Sequence, residues 1–105
     1  MIIKVCGMRD ADNIRSIDLL PSVDWMGFIF YPHSSRFVSE VPGYLPQHCK
    51  RVGVFVNASI DEVARIVKTF RLDMVQLHGN ETPAYIYDLR QSLPASIRIL
   101  KMIPI

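Results

Sequence analysis

The stretch Val75-Gln76-Leu77-His78-Gly79 is an apolar run that ends in polar side chains and a glycine. Three others close the same way: Lys4-Val5-Cys6-Gly7, Phe28-Ile29-Phe30-Tyr31 and Val54-Phe55-Val56-Asn57. A fifth apolar run begins near Ile97. Residues able to do chemistry therefore gather at the ends of successive strands. Parallel α/β folds build their sites at those ends.

Working outward from these ends gives the order of elements. The first strand is read as Ile2 to Cys6, with a helix from Ala11 to Leu20 capped by Asp10 and stopped by Pro21. The second strand runs from Trp25 to Tyr31, and a polar loop from Pro32 to Ser39 follows. Pro42, Gly43 and Pro46 allow only a short or irregular turn near Tyr44 to His48. After a third strand from Arg51 to Val56, Ser59-Ile60-Asp61-Glu62 has capping-box spacing. Ile60, Val63, Ala64, Val67 and Phe70 then recur at helical period. A fourth strand spans Asp73 to His78. Thr82-Pro83 opens the next helix, buried through Ile86, Leu89 and Leu93, and Ile97 to Ile103 reads as a fifth strand. Strand–helix alternation with near-continuous apolar strands predicts a parallel sheet covered on both faces. An open doubly wound sheet and half of an eight-stranded barrel both fit that pattern.

Composition narrows the function classes. A chain of 105 residues is read as one domain over 1–105. A net charge of +2, without a basic block, argues against nucleic acid or an anionic membrane as partner. The apolar runs fall short of a membrane span. The start Met1-Ile2-Ile3-Lys4-Val5-Cys6 reads as a strand and not as a leader, so a cytoplasmic location is expected. Cys6 and Cys49 fall at opposite ends of a parallel sheet, which predicts two free thiols.

Cys6, at a strand end and followed by Gly7, can face a pocket with little obstruction, against the plainer reading of a small core residue. Arg36 offers a planar cation to a carboxylate or phosphate, against the plainer reading of a solvated loop arginine. Gln76 and His78 alternate on one strand and so share a face. Cys6, His33, His48 and His78 show no paired metal-ligand spacing, and no metal is expected.

The segments Ile3-Lys4-Val5-Cys6-Gly7-Met8, Gly27-Phe28-Ile29-Phe30-Tyr31-Pro32 with Ser35-Arg36, Val52-Gly53-Val54-Phe55-Val56-Asn57 and Val75-Gln76-Leu77-His78-Gly79-Asn80-Glu81 occur in this order. Together they resemble the phosphoribosylanthranilate isomerases of tryptophan biosynthesis. The resemblance implies a (β/α)8 TIM-barrel fold, here a half barrel of about four βα units plus a fifth strand. It implies an isomerase of the aldose–ketose type that needs no cofactor and acts on a small phosphosugar. Cys6 takes the place of the general base, and Arg36 that of the arginine facing the anthranilate carboxylate. His78 and Gln76 match residues lining the site, with Lys4 as an electrostatic support and Asn57 as a further substrate contact. His33 and Ser35 depart from the lysine and proline common in the family.

The family's general-acid aspartate follows the sixth strand and its phosphate-binding loops follow the seventh and eighth, so no residue of 1–105 is assigned those roles. The chain alone is therefore expected to show little activity. Open edges and an apolar inner face predict self-association, or pairing with a C-terminal half. The alternatives are a non-catalytic half-barrel binding module and a half enzyme completed in trans.

Overall fold

The computed structural model describes residues 1–102. Its elements are β1 (Lys4–Cys6), α1 (Ala11–Asp18), β2 (Trp25–Ile29), β3 (Lys50–Phe55), α2 (Ile60–Phe70), β4 (Met74–Leu77), α3 (Pro83–Ser92) and β5 (Arg98–Lys101). Ile103, the expected end of the fifth strand, lies outside the described residues.

All five strands pair in parallel, in the order β1-β2-β3-β4-β5. An open doubly wound sheet reverses its strand order at a switch point. A barrel adds each strand beside the one before it. The sequential order therefore selects the barrel-type architecture over its rival.

The registers divide the side chains into two faces. Lys4 and Cys6 of β1 share a face with Gly27, with Val52 and Val54 of β3, and with Met74 and Gln76 of β4. This is the inner face. The other face carries Val5, Met26, Phe28, Phe55, Val75 and Leu77, which pack against the helices. Gly53 belongs to this outer face for want of space. A Cβ there would lie 2.5 Å from Leu72 and 2.8 Å from the Phe55 ring. Phe30 uses the room, stacking on Phe55 at 5.2 Å and meeting Phe70 edge-on at 4.8 Å.

The predicted caps form. Asp10 accepts from the N–H groups of Asp12 and Asn13, Ser59 from Glu62, and Thr82 from Tyr85. Each satisfies a helix-end donor that has no intrahelical partner. Helix α2 stops at Arg71, whose left-handed backbone (φ 51°) turns its N–H back to the last carbonyls. The strands are shorter than their apolar runs. Ile2 and Ile3 precede β1 and are exposed, so hydrophobicity there does not mark burial. Helix α1 likewise ends at Asp18 and leaves Leu19 and Leu20 exposed.

No regular helix joins β2 to β3, as the prolines require. A buried carboxylate organises that connection instead. Asp18 accepts from the Tyr44 hydroxyl at 2.9 Å and from the N–H groups of Gln47, His48 and Cys49 at 2.8, 3.1 and 2.9 Å. Burial pushes this carboxyl up, but the four donors outweigh it and hold the pKa down at about 2. Burial beside Asp18 pushes the Cys49 thiol up to about 11. Arg51 completes the wall by donating to the carbonyls of Pro46 and Phe70.

Candidate active site

Two glycines bring the site together at the C-terminal ends of the strands. Gly7 follows β1 with φ +83°, a left-handed conformation that side chains other than glycine rarely adopt. A Cβ on Gly7 would stand 2.5 Å from Arg36 Cδ and 3.1 Å from its guanidinium. The arginine of the β2 loop therefore lies directly over the turn that follows Cys6. The Ser34 hydroxyl steadies that loop by accepting from the Arg36 N–H at 3.1 Å.

The second glycine is Gly27, opposite Cys6 in the β1–β2 register. Its carbonyl accepts from the N–H groups of Gly7 and Met8 at 3.0 and 3.2 Å, fixing the turn after Cys6. Lys4 and Cys6 both pass over it. The Lys4 ammonium then reaches across the inner face and donates to the Gln76 side-chain oxygen. Lys4, Cys6 and Gln76 thus share one surface, and Arg36 borders it. Cys6 is exposed and Gln76 buried, so the cysteine and the Lys4 ammonium held by Gln76 share one surface.

His78 and Asn57 hold different places. His78 is exposed just beyond β4, its N–H donating to the Phe55 carbonyl. Asn57, with φ 51°, turns inward on its neighbours, and its Oδ1 accepts from the Asn80 N–H at 2.8 Å. Its side chain is engaged in holding one loop to the next. Gly79 has no Cβ because Asn57 Oδ1 would lie 2.6 Å from it.

Glu81 locks these two loops together. Its carboxylate accepts from the N–H groups of Asn57 and Gly79, each at 2.9 Å, and from the Lys101 ammonium at 2.8 Å. Lys101 also donates to the Gly79 carbonyl. Burial pushes the Glu81 carboxyl up, but Lys101 and the backbone donors leave it below the usual carboxylate range. Sequence reading gave this residue no role. The visible signal was an acid two residues beyond Gly79, in the loop that follows β4. Among the described residues, no three His, Cys, Asp or Glu side chains come together as a metal site. No described helix is long and apolar enough to cross a membrane.

The family model described as N-(5'-phosphoribosyl)anthranilate isomerase matches residues 3–103. The chain belongs to this family. A Phocaeicola vulgatus member is 48% identical over all of this chain and 49% of its own length. A Parabacteroides distasonis member is 46% identical over 87% of this chain and 43% of its own. The fold agrees. The crystal structure of the Thermotoga maritima isomerase matches 96% of this chain and 50% of its own, at 29% identity and a TM-score of 0.77. The same scores apart from a TM-score of 0.78 and 53% of the neighbour's length describe an isomerase in complex with reduced 1-(o-carboxyphenylamino)-1-deoxyribulose 5-phosphate. The chain spans about half the length of the curated relatives it matches.

Proposed function

We propose that this chain supplies the β1–β5 part of a phosphoribosylanthranilate isomerase site in tryptophan biosynthesis. The observation that carries the proposal is the meeting of Cys6, Lys4, Gln76 and Arg36 around Gly7 and Gly27. The substrate is N-(5-phosphoribosyl)anthranilate and the product its 1-deoxyribulose isomer. In this Amadori rearrangement, ring opening gives a protonated Schiff base. A base removes the proton from sugar C2, and the enolamine takes up a proton at C1 as its C2 hydroxyl gives one up, leaving the ketone. No atom is gained or lost, so no redox partner is consumed.

Cys6 is the base for the C2 proton, because its exposed sulfur sits on the inner face where a sugar carbon has access. Arg36 pairs with the anthranilate carboxylate, a match of planar cation to planar anion. The Lys4 ammonium supports the negative charge of the same ligand, and Gln76 holds that ammonium in place. His78 is an exposed polar contact at the rim. Asn57 shapes the rim through its bond to Asn80 more directly than it offers a free side chain.

The proposal is tested by mixing the 105-residue chain with a C-terminal half from the Phocaeicola vulgatus relative and following turnover of the substrate. The mixture is expected to be active, the chain alone to be nearly inactive, and Cys6→Ala to lower turnover about 10²-fold or more. Full turnover by the Cys6→Ala mixture refutes the role of Cys6.

Self-association is part of the same proposal. Val52 and Met74 at the centre of the inner face are already covered, so that face is less open than its apolar sequence implies. Exposed apolar side chains lie at the sheet's two edges instead: Ile2 and Ile3 beside β1, and Met102 beyond β5. Unpaired strand edges with apolar neighbours invite pairing. A monomer by light scattering at micromolar concentration refutes this part.

A further inference from the structure

We propose that Gly27 is a positioning residue for Cys6, a socket on β2 that seats the thiol on the same surface as the Lys4 side chain. A Cβ on Gly27 would lie 2.7 Å from Cys6 Sγ and 3.1 Å from Lys4 Cε. Two neighbours from β1 therefore occupy the space of a missing β2 side chain. Backbone freedom does not explain the glycine, since Gly7 alone of the described glycines has a left-handed φ. Gly27 lies mid-strand and paired, where glycine is the less favourable choice for the fold. Its value there is room.

The socket has a chemical consequence. With the Lys4 stem and the Cys6 sulfur both seated over Gly27 and the ammonium tied to Gln76, a positive charge is held on the surface from which Cys6 reacts. An anionic partner of the thiol is thereby favoured over a neutral one. The inference rests on reading Cys6 as the reactive base, but its test uses no isomerase turnover, so the two readings fail separately.

The test is alkylation of the 105-residue chain with iodoacetate (anionic) and iodoacetamide (neutral), with labelling of Cys6 and Cys49 resolved by mass spectrometry. Lys4→Met is expected to lower the iodoacetate-to-iodoacetamide rate ratio at Cys6 three- to fivefold, roughly the effect of one unit charge a few ångströms away in water. Gly27→Ala turns the thiol out of its socket and moves the ratio at least twofold toward the Lys4→Met value. Gly53→Ala, whose added carbon meets Leu72 on the opposite face, destabilises the fold and leaves the ratio unchanged. A double-mutant cycle keeps the idea testable if Gly27→Ala folds poorly. Cys6→Ala then removes the clashing sulfur and restores most of the lost stability. An unchanged ratio in Gly27→Ala, or a stability loss equal with and without Cys6→Ala, overturns the proposal.

Discussion

Replacing Asp18 by asparagine tests whether one buried carboxylate stands in for the helix missing between β2 and β3. The side chain keeps its shape and one acceptor oxygen. It loses its charge, and its new NH2 takes the place either of the oxygen that accepts from His48 and Cys49 or of the one that accepts from Tyr44 and Gln47. The magnitude follows from the carboxyl's pKa, held at about 2 against an ordinary 3.8. At about 1.4 kcal/mol per unit, the charged form gains roughly 2–3 kcal/mol in the folded state. Asp18 is only 4% exposed, so solvent screening takes little from that figure.

A domain of this size has a total stability of about 5–15 kcal/mol. Asp18→Asn is therefore expected to lower the unfolding free energy by about 2–3 kcal/mol at pH 7. The midpoint temperature should fall by about 8–15 °C. The folded pKa lies below the unfolded one, so this stabilisation is complete above about pH 4–5. It is lost as pH falls toward 2. The stability difference between the two proteins should shrink over that window, because protonated Asp18 resembles asparagine. Urea unfolding followed by circular dichroism, at pH 7 and at steps down to pH 2, measures it. A difference below about 0.5 kcal/mol at pH 7, or one that stays constant to pH 2, refutes the reasoning.

Glu81→Gln breaks the buried pair with Lys101 and is expected to cost about 2–3 kcal/mol, below the range for fully buried pairs because Lys101 keeps some access to water. Amide hydrogen exchange should show faster exchange at Asn57 and Gly79, whose N–H groups Glu81 now holds; unchanged rates there would contradict the clamp. Gly7→Ala forces a side chain into a left-handed turn and against Arg36, which predicts a loss of about 1–2 kcal/mol in denaturant titration and displacement of Arg36. Near neutral pH, Cys6 should alkylate at least tenfold faster than Cys49, which is buried with its thiol raised to about 11. Equal rates would mean that the Asp18 wall opens readily.

Much of the fold was legible because its signals are local. Proline and glycine between Pro42 and Pro46 exclude a regular helix, and Asp10, Ser59 and Thr82 cap within three residues of themselves. Boundaries were less legible. Apolar residues such as Ile2, Leu19 and Leu20 prolong a pattern without being buried. The candidate residues were also visible at strand ends, as a family motif. Their partners were not: Asp18 gathers donors 26 to 31 positions away, and Lys4 finds Gln76 across 72. Glu81 joins Asn57 to Lys101 only after β3, β4 and β5 lie side by side.

The sequence by itself determined the alternation of strand and helix, the caps, and the residue types at each strand end, because backbone sterics and hydrophobic period act over a few residues. Only the tertiary structure decided the sequential strand order, which side chains share the inner face, and which polar groups are bonded to one another and which stand open. Those outcomes depend on register and on close packing between strands. No short-range rule carries that information.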